Sequence, residues 1–179
     1  MAQTSTTLIS AKSHITSITG TDISLSATSG VYTISATSTV LTGAGKLAVG
    51  DLITVSGSAS NNSTFTVSTV VSTLEITVAE VVTSENADGS STITLDHVGF
   101  VSDKAKGDGY YSQPDGVHTV AYQVANDFNA DATIKMQGTL ATTPTEDDWF
   151  DIANTTFTSD TSTLTSSYNF TGNYVWVRS

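Results

Sequence analysis

The chain has 179 residues, no cysteine, and six basic against 17 acidic side chains, giving a formal net charge of −11. That length holds one large or two small domains with real cores, while the lack of cysteine excludes disulfides, thiol nucleophiles and cysteine-ligated metals. With so few cations there is no patch for a phosphate backbone, so no nucleic-acid partner is expected, and the acidity disfavours anionic membranes.

In chain order, residues 1–21 are polar and poor in aromatics, and they read as an extended arm that another surface must order. MAQTSTTLISAKSHITS shows no basic segment leading into an apolar run, so no export leader is expected. No apolar stretch approaches the roughly 20 residues that span a bilayer.

From Asp22 onward the pattern sharpens. The 25 Ser and 33 Thr residues would suit a disordered stalk, but they are interleaved with apolar residues at period two, and Thr is itself β-branched. Ile23 and Leu25 alternate with polar residues, SATSG turns the chain, and Val31–Ser35 follows as a strand. Leu52 and Thr54 share one strand face, with Ile53 and Val55 on the other. SGSASNNS is a turn; Phe65 and Val67, then Leu74, Ile76 and Val78, continue the alternation. ENADGSS leads into Ile93 and Leu95. Short strands at this spacing predict a small β-barrel or sandwich module over 22–98.

Residues 99–107 read as a linker. A second β-sandwich module is predicted over 108–179, where both Trp and most of the Tyr lie, and Trp149 is expected in its core. His118, Val120, Tyr122 and Val124 fall on one strand face. Tyr174, Trp176 and Arg178 share a face of the last strand. The predicted fold class is therefore all-β, with two small sandwich or barrel modules in tandem behind an N-terminal arm.

The stretch KGDGYYSQPDGVHTV, residues 106–120, concentrates the chemistry-bearing residues. Asp108 and Asp115, with loop carbonyls, supply the oxygen ligands calcium needs, roughly 6–8; the D-x-[DN]-x-[DN]-G pattern is absent, and Asp-Gly is also what tight turns use. The turn reading is preferred, and no cofactor is expected. His118 in its strand pattern reads as structural, and His14 and His97 have no nameable partners. Glu146, Asp147 and Asp148 form the one acidic run, read as a solvated turn and not as paired catalytic carboxylates. No Gly-x-Ser-x-Gly elbow occurs, so no catalytic residue is assigned. The sequons at Asn61, Asn62, Asn154 and Asn169 read as chance matches in so Ser/Thr-rich a chain. Tyr110, Tyr111 and Tyr174 are the candidate surface contacts. Because neighbours on an extended strand face opposite ways, Tyr110 and Tyr111 are not expected to serve one surface.

Two stretches carry a resemblance. GDLITVSGSASNNSTFTVSTV with LEITVAE and ADGSSTITL resembles a β module of tailed-bacteriophage structural proteins. DGYYSQPDGVHTVAYQV with ATIKMQGTLATTPTEDDWFDI and YNFTGNYVWVRS is similar to a sandwich in cyanophage-like virion proteins, jelly-roll-like in layout. The resemblance implies a non-enzymatic structural protein of the virion, assembled in the host cytoplasm. It implies a head decoration or cement protein, a homo-oligomer with a trimer favoured, bound to the major capsid protein. The alternatives are a tail, neck or fibre component, or a surface glycan- or receptor-binding module.

Overall fold

The structure, a computed structural model, describes residues 5–9, 12, 15–112, 116–124, 133–158 and 164–179. It is all-β, with 15 strands among the described residues: β1 (Ile18–Gly20), β2 (Ile23–Thr28), β3 (Val31–Ala36), β4 (Asp51–Ser56), β5 (Thr64–Ser72), β6 (Glu75–Val78), β7 (Ile93–Phe100), β8 (Ala105–Lys106), β9 (Val117–Val124), β10 (Thr133–Ile134), β11 (Gln137–Thr139), β12 (Phe150–Asp151), β13 (Phe157–Thr158), β14 (Leu164–Thr171) and β15 (Trp176–Arg178). Two units form, one of residues 13–101 and one of residues 102–179 together with 1–12. The boundary falls inside the expected linker, but both ends of that linker are strand: Gly99 and Phe100 finish β7, and Ala105 and Lys106 are β8.

In the first unit the period-two pattern does what it predicts. Ile23 and Leu25 of β2, Ile34 of β3, Ile53 and Val55 of β4, Phe65 and Val67 of β5, Ile76 and Val78 of β6, and Ile93 and Leu95 of β7 all point into one core. Pairing is antiparallel throughout, in the order β1-β7-β4-β5-β6-β3-β2. The two outer strands of that order, β1 and β2, are consecutive in the chain, separated only by Thr21 and Asp22. The sheet therefore curls round until its ends meet, and β1 and β2 act as one kinked strand that closes a barrel. β5 makes the matching bend, pairing through Thr64–Thr66 with β4 and from Val67 with β6. Closure in this way limits the edge open to another chain, with β1 covering Ile93–Leu95 of β7 and Glu85 bridging Leu25 on the outer side of β2.

This corrects the expected arm. Residues 15–20 belong to the barrel: Ile15 and Ile18 are buried in its core, and Ile18–Gly20 pair with Ile93–Leu95. Farther back, Leu8 packs against the core of the second unit. Few aromatics do not make a segment an arm when two isoleucines three residues apart have a core to enter.

Short polar side chains brace the barrel where the strands turn. The Asp22 carboxylate, at the kink, accepts from the backbone N–H and hydroxyl of Ser38 and of Thr39. Glu85 bridges backbone to backbone with Leu25 of β2, while its carboxylate accepts from the Ser58 hydroxyl at 2.6 Å and the Ala59 N–H at 2.9 Å. Buried Asn61 completes that network with bonds to both the N–H and the carbonyl of Thr83. The Ser58 hydroxyl, then the Ala59 N–H, hold Glu85 below its ordinary carboxylate range; the Thr39 hydroxyl does the same for Asp22.

The sign follows directly. A carboxylate whose pKa is lowered by folding adds stability above its unfolded value of about 4 and loses it as pH falls through the lowered folded value. The first unit should therefore melt at progressively lower temperature as pH drops from about 5 toward 2. Glu85→Gln should lower the melting temperature at pH 7 and flatten that dependence, read by thermal melts across the range. An unchanged slope in the variant would remove Glu85 from the account.

The second unit nests its strands. β8 pairs with β15, β9 with β14 inside them, and β10 and β11 with β13 and β12 innermost. The innermost pair is a hairpin whose halves enter different sheets, because β11 also pairs with β15. Such nesting is how a long hairpin rolls up in a jelly roll. The core holds Tyr122, Val124, Met136, Ile152, Phe157, Phe170 and Val177. The Tyr122 hydroxyl donates to the Thr155 carbonyl at 3.0 Å, and burial pushes its pKa up to about 12. The phenol thus stays a neutral donor.

Neither tryptophan is in this core. Trp149 and Trp176 are half-buried at the surface, so the expectation of Trp149 as a core residue is overturned. An indole carries a polar N–H and a polarisable face; here Trp176 uses the former, donating to the Thr142 carbonyl at 3.1 Å, and Trp149 the latter.

Candidate functional site

β15 organises the surface of the second unit. Strand alternation puts Val177 in the core and leaves its neighbours Trp176 and Arg178 on the opposite face. Pairing with β11 brings Arg178 opposite Gln137, whose Oε1 accepts from Arg178 Nε at 2.9 Å. The two terminal guanidinium nitrogens donate to the two Glu146 oxygens at 3.1 and 2.8 Å, a bidentate clamp. The Arg178 guanidinium lies 4.2 Å from the centre of the Trp149 ring. With the residue only 8% exposed, its position is set by three partners. Glu146 is held in turn by its own short helical segment, Glu146–Asp148, which the Asp148 carboxylate caps by accepting the Thr145 N–H and hydroxyl.

Around this clamp opens a cleft of about 260 Å3 lined by Asp103, Lys104, Glu146, Trp149 and Arg178, together with Ser102 and Pro144. An aromatic ledge continues from Lys104. Its ammonium rests 4.7 Å above the Trp176 ring, Trp176 meets Tyr110 at 4.8 Å, and Tyr110 meets Tyr111 edge-on at 5.2 Å. Lys106 sits 4.2 Å over Tyr110. Three of the chain's six basic residues, Lys104, Lys106 and Arg178, thus lie against aromatic rings on this one surface.

Of the three candidate contact residues, Tyr110 and Tyr111 are exposed, by 42% and 57%. Contrary to expectation, both serve one surface, because Asp108–Tyr111 forms a single 3-10 turn and not a strand. Two glycines allow that turn to lie on the backbone before β15. The Gly107 and Gly109 N–H groups donate to the Val175 and Tyr174 carbonyls at 3.0 and 2.8 Å, and a Cβ on Gly107 would lie 2.3 Å from the Tyr174 oxygen. Tyr174 is half-buried. Its ring lies against Gly138, Gly172, Phe150 and Phe170, and its hydroxyl donates to the Thr171 carbonyl.

His118 stacks on Phe170 at 5.0 Å with its Nε2 3.4 Å from Asp108 Oδ2, the oxygen that also accepts the Gly116 N–H. These contacts tie β9 to the start of the helical turn. Of the two residues considered for calcium, Asp108 accepts the Gly116 N–H with the imidazole nearby, and Asp115 lies outside the described residues, as does His14. No cluster of three metal-ligating side chains occurs among the described residues. His97 is buried beside Asp51 on neighbouring strands of the barrel. Of the acidic run, Glu146 clamps Arg178 and Asp148 caps its own turn. No helix among the described residues is long and apolar enough to cross a membrane.

The cleft was not foreseen. Its main residues come from positions 103–104, 146–149 and 178, and only the β15 pairings with β8 and β11 bring them together.

Comparisons of the chain with protein-family models, with curated proteins and with solved structures find no match. What fold and surface define is a class: an all-β protein of two separately cored units, the second bearing a preset aromatic–cationic surface.

Proposed function

We propose that the chain is a non-enzymatic structural protein of a tailed-phage virion, a head decoration protein that seats on the major capsid protein and assembles as a homo-oligomer, a trimer by preference. The observation that carries the reading is the Tyr110–Tyr111 turn. Two large aromatic side chains are held out together on a turn bonded to the strand backbone behind it, and fixed exposed aromatics are what interface centres are made of. The resemblance of the two sequence stretches to virion β modules supports the same reading, as does a first unit closed by β1 and β2, which limits open sheet edge in a protein packed at high local concentration.

The seat tests directly. Tyr110→Ala with Tyr111→Ala should leave the second unit's melting temperature within a few degrees of the parent yet weaken attachment to particles roughly 30-fold or more, the range of interface anchors. Purified virions, assayed for the chain by mass spectrometry and then imaged with a labelled chain, provide the measurement. A chain absent from particles would end the reading. Label on the tail would replace the head placement with the tail, and full occupancy by the double variant would move the seat elsewhere.

A further inference from the structure

We infer that the Trp149–Arg178 cleft is a binding site for a single neutral hexopyranose, such as the terminal sugar of a glycan. The inference goes beyond the proposed structural role and does not depend on it. The first ground is charge. Lys104 and Arg178 are balanced in the lining by Asp103 and Glu146, so the cleft offers an anion two carboxylates and a cation two positive groups. It selects for neither.

The second ground is the kind of polar group. Carboxylates accept only, while ammonium and guanidinium groups donate only. A hydroxyl does both, so a ring of neighbouring hydroxyls can bridge such alternating partners, each bond strengthened by the charge on the protein side. Arg178 uses three of its five N–H groups on Gln137 and Glu146, which leaves donor capacity at a guanidinium that lines the cleft. The third ground is Trp149, a half-buried indole in the same lining: Arg178 covers one face of the ring, and the rest of it gives apolar surface for the C–H face of a pyranose.

Size supplies the fourth ground. The volume of about 260 Å3 lies just below the roughly 300–1,000 Å3 of sites for larger, drug-sized ligands, a space on the scale of one sugar ring. The arrangement is also set before any ligand arrives, because Arg178 is clamped and stacked. Little ordering is then lost on binding.

The experiment uses the full chain and a panel of methyl glycosides of glucose, galactose, mannose and N-acetylglucosamine, with sodium glucuronate and sorbitol as comparisons. Binding is followed by saturation-transfer NMR and by tryptophan emission. At least one neutral pyranoside should bind saturably with a Kd of about 1–10 mM, the weak range typical of a small contact. That affinity should hardly change between low and high salt. Asp103→Asn and Lys104→Gln, both at exposed positions, should each weaken it several-fold, and Trp149→Phe should weaken it while keeping the fold, checked by NMR dispersion. Tighter binding of glucuronate, equal binding of acyclic sorbitol, steep salt dependence, affinity untouched by all three variants, or no saturation by any glycoside at about 50 mM, well above that range, would each overturn the assignment.

Discussion

Deleting residues 1–20 is expected to unfold the first unit. The deletion removes Ile15 and Ile18 from the barrel core and strips β1 from β7. Truncating one buried isoleucine to alanine costs about 2–5 kcal/mol, and here two go entirely, together with a strand's backbone pairing. Against a domain stability of about 5–15 kcal/mol, that loss leaves little or nothing. β7 would also become an open edge, so aggregation should accompany unfolding. Removing only residues 1–12 leaves the barrel whole and takes from the second unit the packing of Leu8. NMR spectra of the two truncated chains separate these outcomes. If the shorter chain lacking 1–20 kept dispersed first-unit resonances, the barrel would not need its closing strand.

In the second unit the largest single-residue loss should come from Phe157, not from either tryptophan. Phe157 is buried against the Tyr122 ring at 6.0 Å, and Phe157→Ala should cost about 3–5 kcal/mol, the usual range for emptying such a site. Trp149→Ala removes a half-buried ring and its stacking on Arg178, while Gln137 and Glu146 still hold the guanidinium. A cation–π contact near the surface contributes about 0.5–1 kcal/mol, so the whole change should stay near 1–2 kcal/mol. Urea unfolding followed at second-unit resonances gives both numbers. Equal costs would return Trp149 to the core.

How much of this the sequence discloses depends on which force places each residue. Alternation of Ile and Val with Ser and Thr is a local signal, and it correctly marks β2 to β7, β9 and the opposed faces of Trp176 and Val177; Tyr174, expected on the face of Trp176 and Arg178, packs instead against the core that holds Val177. Leu41 and Leu47 are also buried, yet they sit in a Gly-rich stretch without period, so only the folded barrel reveals them. Ile15 and Ile18 are hidden in the same way among polar residues, because the partner of their strand lies some 75 residues later. For Tyr110 and Tyr111 the sequence suggests an extended chain with opposed side chains, whereas Gly107 and Gly109 let the backbone lie as a helical turn against Tyr174 and Val175. The cleft could have been suspected from a single feature, the crowding of half the basic residues around the Trp- and Tyr-rich segments of an acidic chain. Its geometry could not, since strand register alone sets Arg178 against Gln137.

The closed barrel has a further consequence, for the time the chain spends on the ribosome. Ile18 must wait for Leu95, and no earlier segment can complete the ring. At roughly 5–20 residues per second, several seconds of synthesis pass with the strands between them made but unclosed, and the exit tunnel adds to the delay. The second unit waits about as long, since β8 must wait for its partner β15. Each unit should therefore mature in one late step, with its partly made strands exposed to chaperones until the final partner emerges.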